Sequence, residues 1–260
     1  MSTIAPRQVC LGLAVLFVFL IPYTLGWTWG CWKFVSTCAG IVLLWRWARP
    51  KGFAADLGIR LCRADFTLAV VLLLVVGMGA HRLIPGILQQ HGYIRGQHDL
   101  IWMFLVIPFQ VLNEEMVLRA LLLTALARIL RPRFFLSAVV AGLFALLHFT
   151  LYRFGPPHTA LSISALTTLF LVGFALNELF LATGSIAAPW AIHFGWNLTR
   201  YGSDWIGETS SGTLPQGLDF NLIEGNVQVA ALALALAVVV SALRFRAAAH
   251  GMSGNVKSVQ

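Results

Sequence analysis

Apolar residues fall into long runs along the chain, and short polar or basic segments separate these runs. A helix that spans a bilayer needs about 20 mostly apolar residues, and most of the runs approach that length. The runs are continuous, whereas barrel strands would show short segments of alternating hydrophobicity. The pattern predicts an all-α fold, a polytopic transmembrane helical bundle with about eight spans. The predicted spans cover residues 9–27, 31–45, 66–80, 101–127, 134–150, 161–182, 186–198 and 227–243.

Two stretches of the N-terminal part need separate interpretation. The first apolar run is longer than the core of a signal peptide and lacks a small-residue cleavage site after it, so we expect a retained span. The segment from 81 to 100 mixes apolar and polar residues around Pro85. We therefore predict that it is interfacial or re-entrant and does not span the membrane.

Composition supports a membrane protein. The chain is 58% apolar and only 11% charged, whereas soluble domains carry about 25% charged residues. Its net charge of +8 would also suit a nucleic-acid partner, but the positions of the charges give a simpler reason. Most basic residues fall on one side of the predicted bundle, at positions 7, 46–63, 128–133 and 244–257. The positive-inside rule then predicts that the protein lies in the cell (inner) membrane with both termini cytoplasmic. We expect contact with the lipid bilayer and no nucleic-acid partner.

Three charged residues lie inside the fourth predicted span: Glu114, Glu115 and Arg119. A charge at the bilayer centre costs about 2.5–3.5 kcal/mol on insertion scales, so it rarely persists without a partner or a function. Glu115 and Arg119 are four residues apart with the acid first, which is the favourable order for an ion pair on a helix. Glu114 points about 100° away and is less well placed for that pair. We therefore expect one structural carboxylate and one that is available for chemistry.

Other apolar segments supply polar side chains that could work with this carboxylate. His148 ends the fifth span, and His193 and Asn197 lie one helical turn apart on the seventh. Hydrolysis of a peptide bond needs a base near the attacking water and donors near the developing oxyanion. Glu114 and His148 could hold and deprotonate water, while His193 and Asn197 could donate to the oxyanion.

The order and spacing of these motifs resemble a known family. Glu114-Glu115-x-x-x-Arg119, Phe144-x-x-x-His148 and His193-x-x-x-Asn197 are similar to successive motifs of the CAAX-protease and bacteriocin-processing (CPBP, or Abi) family of intramembrane proteases. The likeness covers about residues 100–200. It implies an all-helical membrane fold and a glutamate-dependent membrane peptidase that needs no organic cofactor.

The resemblance also implies a role for each matching residue. Glu114 would activate water with His148, and His193 and Asn197 would form the oxyanion hole. The supporting residues would be Glu115, Arg119 and Phe144, the last as a packing neighbour of the site. The chain then divides into N-terminal spans of uncertain role (1–100), a catalytic core (101–200) and an outer loop, last span and tail (201–260).

Several alternatives stay open at this point. Zinc could be bound by Glu114, His148 and His193, since catalytic zinc accepts three such ligands. A proton- or cation-coupled transporter could use the intramembrane acids, including Glu178, although the chain shows no repeated halves. A non-catalytic immunity or scaffold protein is a third possibility. We expect Glu178 to be paired structurally, with Arg119 as one conceivable partner.

Substrate and orientation are also open. The family acts on prenylated C-terminal peptides, bacteriocin leaders and other sorting signals, so a membrane-associated protein or peptide is the expected partner. With both termini cytoplasmic, the polar residues would open toward the outside. The prenyl-protein endopeptidases of the family work from the cytoplasmic side, so the sequence leaves this point unresolved.

Overall fold

The computed structural model describes most of the chain after residue 62. The described residues are 63–91, 94–95, 107–127, 133–154, 161–202, 205–206, 208–209, 212–213 and 218–256, with the single residues 39, 58, 130 and 132. The helices are α1 (Arg63–Gln90), α2 (Ile107–Glu115), a π-helical segment (Met116–Leu123), α3 (Thr124–Leu126), α4 (Arg133–Phe154), α5 (Ile163–Thr183), α6 (Ala187–Gly202), α7 (Leu218–Ile223) and α8 (Val227–Val256). The first two predicted spans lie outside the described residues.

Strands are minor in the part of the chain that the structure describes. Each is two residues long: β1 (Ile94–Arg95), β2 (Trp205–Ile206), β3 (Glu208–Thr209) and β4 (Gly212–Thr213). They form two antiparallel pairs, β1 with β2 and β3 with β4. The prediction of an all-helical fold is confirmed for the described residues apart from these two short ladders.

Three of the described helices are long and apolar enough to cross a membrane. They cover Ala64–Gln90, Ile163–Thr183 and Val227–Arg246, and the apolar part of α4, Arg133–Phe149, is shorter. On α1 and α8 large apolar side chains point outward from the protein, among them Leu74 and Val238. Such exposed apolar faces suit contact with lipid, as expected for a membrane protein. The total of about eight spans stays a prediction.

One predicted span boundary is wrong, and another span continues as a helix beyond its predicted end. The third predicted span ends at residue 80, but α1 continues as one helix to Gln90 with Pro85 inside it. Pro85 has no N–H and therefore cannot donate to the carbonyl of His81, four residues earlier. His81 is exposed, so the helix continues without a hydrogen-bond acceptor left unpaired in the core. The last span, predicted over 227–243, agrees with the apolar stretch Val227–Arg246, and α8 continues beyond it to Val256.

Packing brings the central helices around one core. Helix α1 packs along α6, α5 packs between α4 and α8, and the π-helical segment contacts α2, α4 and α5. The largest group of buried apolar side chains joins the π-helical segment to α4 and α5, with Leu118, Leu136 and Phe144 at most 2% exposed. The polar residues of the fourth span are therefore held inside the bundle.

A short turn connects α5 to α6. Helix α5 begins at Ser162, whose hydroxyl accepts a hydrogen bond from the N–H of Ala165, and it ends at Gly184. Gly184 has a φ of 62°, a left-handed conformation that glycine adopts without a steric penalty. The tight turn predicted between these two spans is present, and α6, which carries His193 and Asn197, begins at Ala187 directly after it.

Candidate active site

The acidic pair lies where the helix of the fourth span changes its winding. Glu114 and Glu115 end α2, and Arg119 lies in the π-helical segment that follows. All three are buried, Glu115 and Arg119 completely. The predicted ion pair is present, with Arg119 Nη1 donating to Glu115 Oε1 at 3.0 Å. Extended π winding is rare in proteins and often occurs at functional sites.

Arg119 has further contacts that hold its guanidinium in place. Its Nε donates to Oδ1 of Asn177 on α5 at 3.1 Å. The Asn177 amide in turn donates to the backbone carbonyl of Ser137 on α4 at 2.9 Å. The guanidinium carbon lies 5.0 Å from the centre of the Phe144 ring, within cation–π range. The arginine is thus fixed by three helices.

Phe144 occupies a site that only glycine opposite it allows. A Cβ on Gly173 would lie 2.9 Å from Cδ1 of the Phe144 ring, closer than carbon atoms approach without displacement. The absence of a side chain at Gly173 therefore lets α5 come close to α4 at this level. The predicted role of Phe144 as a packing neighbour agrees with this position.

His193 joins both glutamates. Its Nδ1 lies 2.8 Å from Glu115 Oε1, and its Nε2 lies 3.8 Å from Glu114 Oε2. Because the paired Glu115 carboxylate accepts hydrogen bonds, Nδ1 of His193 carries the proton in that contact. The sequence predicted only the pair of Glu115 with Arg119, and the bond from Glu115 to His193 is a finding of the structure.

His148 is bonded to the backbone of Phe144. Its Nδ1 is 2.9 Å from the Phe144 carbonyl oxygen, which can only accept, so Nδ1 donates there. In neutral His148 the second nitrogen, Nε2, is then a proton acceptor. The Phe144 ring makes edge contacts with His148 and with His193, at centroid distances of 4.5 Å and 5.9 Å.

All four residues predicted to be catalytic line one cavity of about 540 Å³. They are Glu114, His148, His193 and Asn197. Most of the remaining lining is apolar and comes from several helices, including Val75 and Leu83 of α1 and Leu232 and Val239 of α8. The structure therefore brings together side chains that the sequence places on three separate segments.

Some polar residues at this cavity were missed from the sequence. Arg200 and Glu224 line it and approach each other to 3.6 Å, and Glu224 also accepts from the Trp196 indole at 3.3 Å. The hydroxyl of Thr168 lines it too and has no hydrogen-bond partner among the described residues. Arg200 continues the face of α6 that carries His193 and Asn197, a spacing that could have identified it.

Glu178 has a different partner from the one considered. The structure pairs it with Arg244 of α8, 2.7 Å away, and not with Arg119. The Ser137 hydroxyl donates to the same carboxylate oxygen. Arg244 had been assigned to the cytoplasmic tail, but it is 7% exposed and lies within α8. Structural pairing of Glu178 is confirmed, and the assignment of Arg244 to the tail is wrong.

The described residues do not form a metal site of three ligands. Among them, no group of three or more His, Cys, Asp and Glu side chains is arranged to hold a metal ion. The zinc alternative needs Glu114, His148 and His193 together; Nδ1 of His193 is bonded to Glu115, which leaves Nε2 as its second nitrogen. Independence from zinc and from organic cofactors stays a prediction.

The site residues fall within a stretch of the chain that is similar to a known family. Residues 96–199 match the family model described as Rce1-like, type II CAAX prenyl endopeptidase Rce1-like. The predicted resemblance to the CAAX-protease family is confirmed. We call residues 96–199 the Rce1-like segment; it contains all seven predicted site residues and most of the cavity's polar lining. The match and the apolar helices together indicate a membrane protease, a hydrolase. Searches of curated proteins and of solved structures gave no match.

Proposed function

We propose that this protein is an intramembrane endopeptidase of the glutamic type, which hydrolyses a peptide bond in a membrane-associated substrate. The observation that carries the proposal is that Glu114, His148, His193 and Asn197 line one cavity. The family description names prenyl endopeptidases. We therefore expect a lipidated protein or a sorting signal as substrate, held by the apolar lining that α1 and α8 provide.

Water activation is the task of Glu114 and His148 in this mechanism. Glu114 takes a proton from water while the oxygen attacks the carbonyl carbon, and it returns the proton to the amine nitrogen as the C–N bond breaks. His148, with Nδ1 bonded to the Phe144 carbonyl, offers Nε2 as an acceptor that orients the same water. No step of this sequence requires an organic cofactor.

His193 and Asn197 stabilise the oxyanion that forms on the carbonyl oxygen. Donors fixed in advance where charge develops each contribute about 10²–10³ in rate. His193 keeps Nδ1–H on Glu115, so donation from Nε2 requires the imidazolium form. The carboxylates of Glu115 and Glu114 lie 2.8 Å and 3.8 Å from its two nitrogens and provide the counter-charge.

The direct test uses purified protein in liposomes. Membrane-anchored peptides with and without a prenyl group are added, and fragments are measured by mass spectrometry beside the Glu114→Gln variant. We expect cleavage by the wild type only, and no change in excess chelator. Loss of both activity and bound zinc in chelator would contradict the metal-free mechanism. Full biological function of Glu114→Gln in the source cell would favour a scaffold.

The substrate itself can be found by comparing membrane proteomes. A deletion strain that expresses the wild type is compared with one that expresses Glu114→Gln. A protein that keeps its full length only in the second strain is a substrate. We also place both termini in the cytoplasm at the inner membrane, which reporter fusions at Gln260 would test.

A further inference from the structure

We infer that Asn177 is a positioning residue that fixes the imidazole of His193 through Arg119 and Glu115, an inference that rests on the peptidase function proposed above. Asn177 lies outside the three motifs that the sequence matched. It is completely buried on α5 and does not line the cavity. Any effect it has on the reaction must therefore pass through other side chains.

The path consists of consecutive hydrogen bonds. The Asn177 amide is anchored to the Ser137 carbonyl at 2.9 Å, and its oxygen accepts from Arg119 Nε at 3.1 Å. Arg119 Nη1 donates to Glu115 Oε1 at 3.0 Å, and the same oxygen accepts from His193 Nδ1 at 2.8 Å. This chain of contacts links α4, α5, the π-helical segment, α2 and α6.

The contact with Asn177 selects one orientation of the arginine. With Nε held by Asn177, the guanidinium plane is fixed and Nη1 is directed to Glu115. A fixed Glu115 oxygen then holds Nδ1 of His193, so Nε2 faces Glu114 and the cavity. Outer partners of this kind set the tautomer and ring orientation of functional histidines.

Burial makes the chain sensitive to the loss of one member. Arg119 and Glu115 are 0% exposed, so water cannot replace a missing partner without entering the core. An arginine released from Asn177 could rotate about its side chain and take the Glu115 oxygen with it. His193 would then lose its orientation although no cavity residue had changed.

The experiment compares Asn177→Leu with Glu178→Gln, a matched control in the next position of α5. Glu178 is also buried and also contacts Ser137, but it pairs with Arg244 and does not line the cavity. Cleavage of a membrane-anchored peptide gives kcat and KM for folded protein. For Asn177→Leu we expect kcat to fall by up to about 10- to 100-fold, the loss known for direct partners of metal-bound histidines, with KM nearly unchanged. For Glu178→Gln we expect both constants to stay at the wild-type values.

A second measurement is independent of activity. Protein labelled with ¹⁵N-histidine shows the Nδ1 proton of His193 as a downfield signal, which His193→Gln identifies among the seven histidines. We expect Asn177→Leu to shift or broaden this signal and Glu178→Gln to leave it in place. Asn177→Asp keeps an acceptor for Arg119, so the signal should persist there and kcat should exceed that of Asn177→Leu.

The outcomes separate this inference from the proposed function. If Asn177→Leu folds and leaves the His193 signal and kcat unchanged, the inference is wrong even if the protein is a peptidase. If Asn177→Leu does not fold, an altered His193 signal in folded Asn177→Asp would overturn the acceptor role of this residue. If the wild type cleaves no peptide but the signal shifts as expected, the positioning holds and the peptidase proposal fails.

Discussion

Two ion pairs are buried behind the cavity lining, and only one of them contacts a side chain predicted to be catalytic. Glu115 with Arg119 is bonded to His193 and, through Asn177, to α5. Glu178 with Arg244 joins α5 to α8 and takes a bond from Ser137. Both glutamates are 0% exposed. Burial and charge alone therefore do not identify a site; the bond to a cavity-lining histidine does.

The largest expected effect is on the rate of cleavage. Glu114→Gln removes the general base, so activity should fall by a factor of about 10² or more. Folding should stay near normal, because Glu114 has no part in the ion pair of Glu115 with Arg119. A cleavage assay beside a thermal melt checks both. A variant that unfolds but whose folded fraction cleaves at the wild-type rate would reverse the assigned roles.

The next effect combines stability with activity. Glu115→Gln leaves Arg119 with an uncompensated charge in the core, and breaking a buried pair from one side costs about 3–5 kcal/mol. We expect a lower melting temperature or poor yield from detergent. Since Glu115 also holds His193, the folded fraction should cleave more slowly as well. Unchanged melting with normal activity would show that the pair is dispensable.

The matching change in the second pair sharpens the comparison. Glu178→Gln should destabilise the protein by a similar amount, because Arg244 loses its buried counter-charge. Activity per folded molecule should, however, equal that of the wild type. Thermal melts and active-site-normalised rates measure the two quantities separately. A lower cleavage rate at an unchanged folded fraction would mean that the pair on α8 also affects the geometry of the cavity residues.

The smallest effect is expected when both members of the second pair are replaced. Apolar residues that substitute for a whole buried ion pair are often neutral or stabilising by about 1–4 kcal/mol. We expect Glu178→Leu with Arg244→Met to melt near the wild-type temperature and to keep its activity. A strong loss of stability in this double variant would mean that the ion pair fixes the position of α8 against α5.

The sequence predicted which residues share the cavity and the pair of Glu115 with Arg119, but not the bonds from that pair to His193 and Asn177. Long apolar runs located the helices among the described residues, and the spacing of the motifs brought together Glu114, His148, His193 and Asn197, which line one cavity. The π winding after Glu115 was not predictable, because local propensity does not distinguish it from an α-helix. The partners of Arg119 and Glu178 depend on how α5 is rotated against its neighbours. That rotation results from the packing of the whole bundle. Asn177 and Glu178 are adjacent in sequence, so the sequence alone does not show which of them faces Arg119.

Phe144 has a mechanical consequence for a protein that works in a fluctuating bilayer. Its carbonyl binds His148, while its ring lies against His193 and Arg119. The two imidazoles therefore share one neighbour. A displacement of α4 at Phe144, such as a change in bilayer thickness would cause, should reach His148 and His193 together.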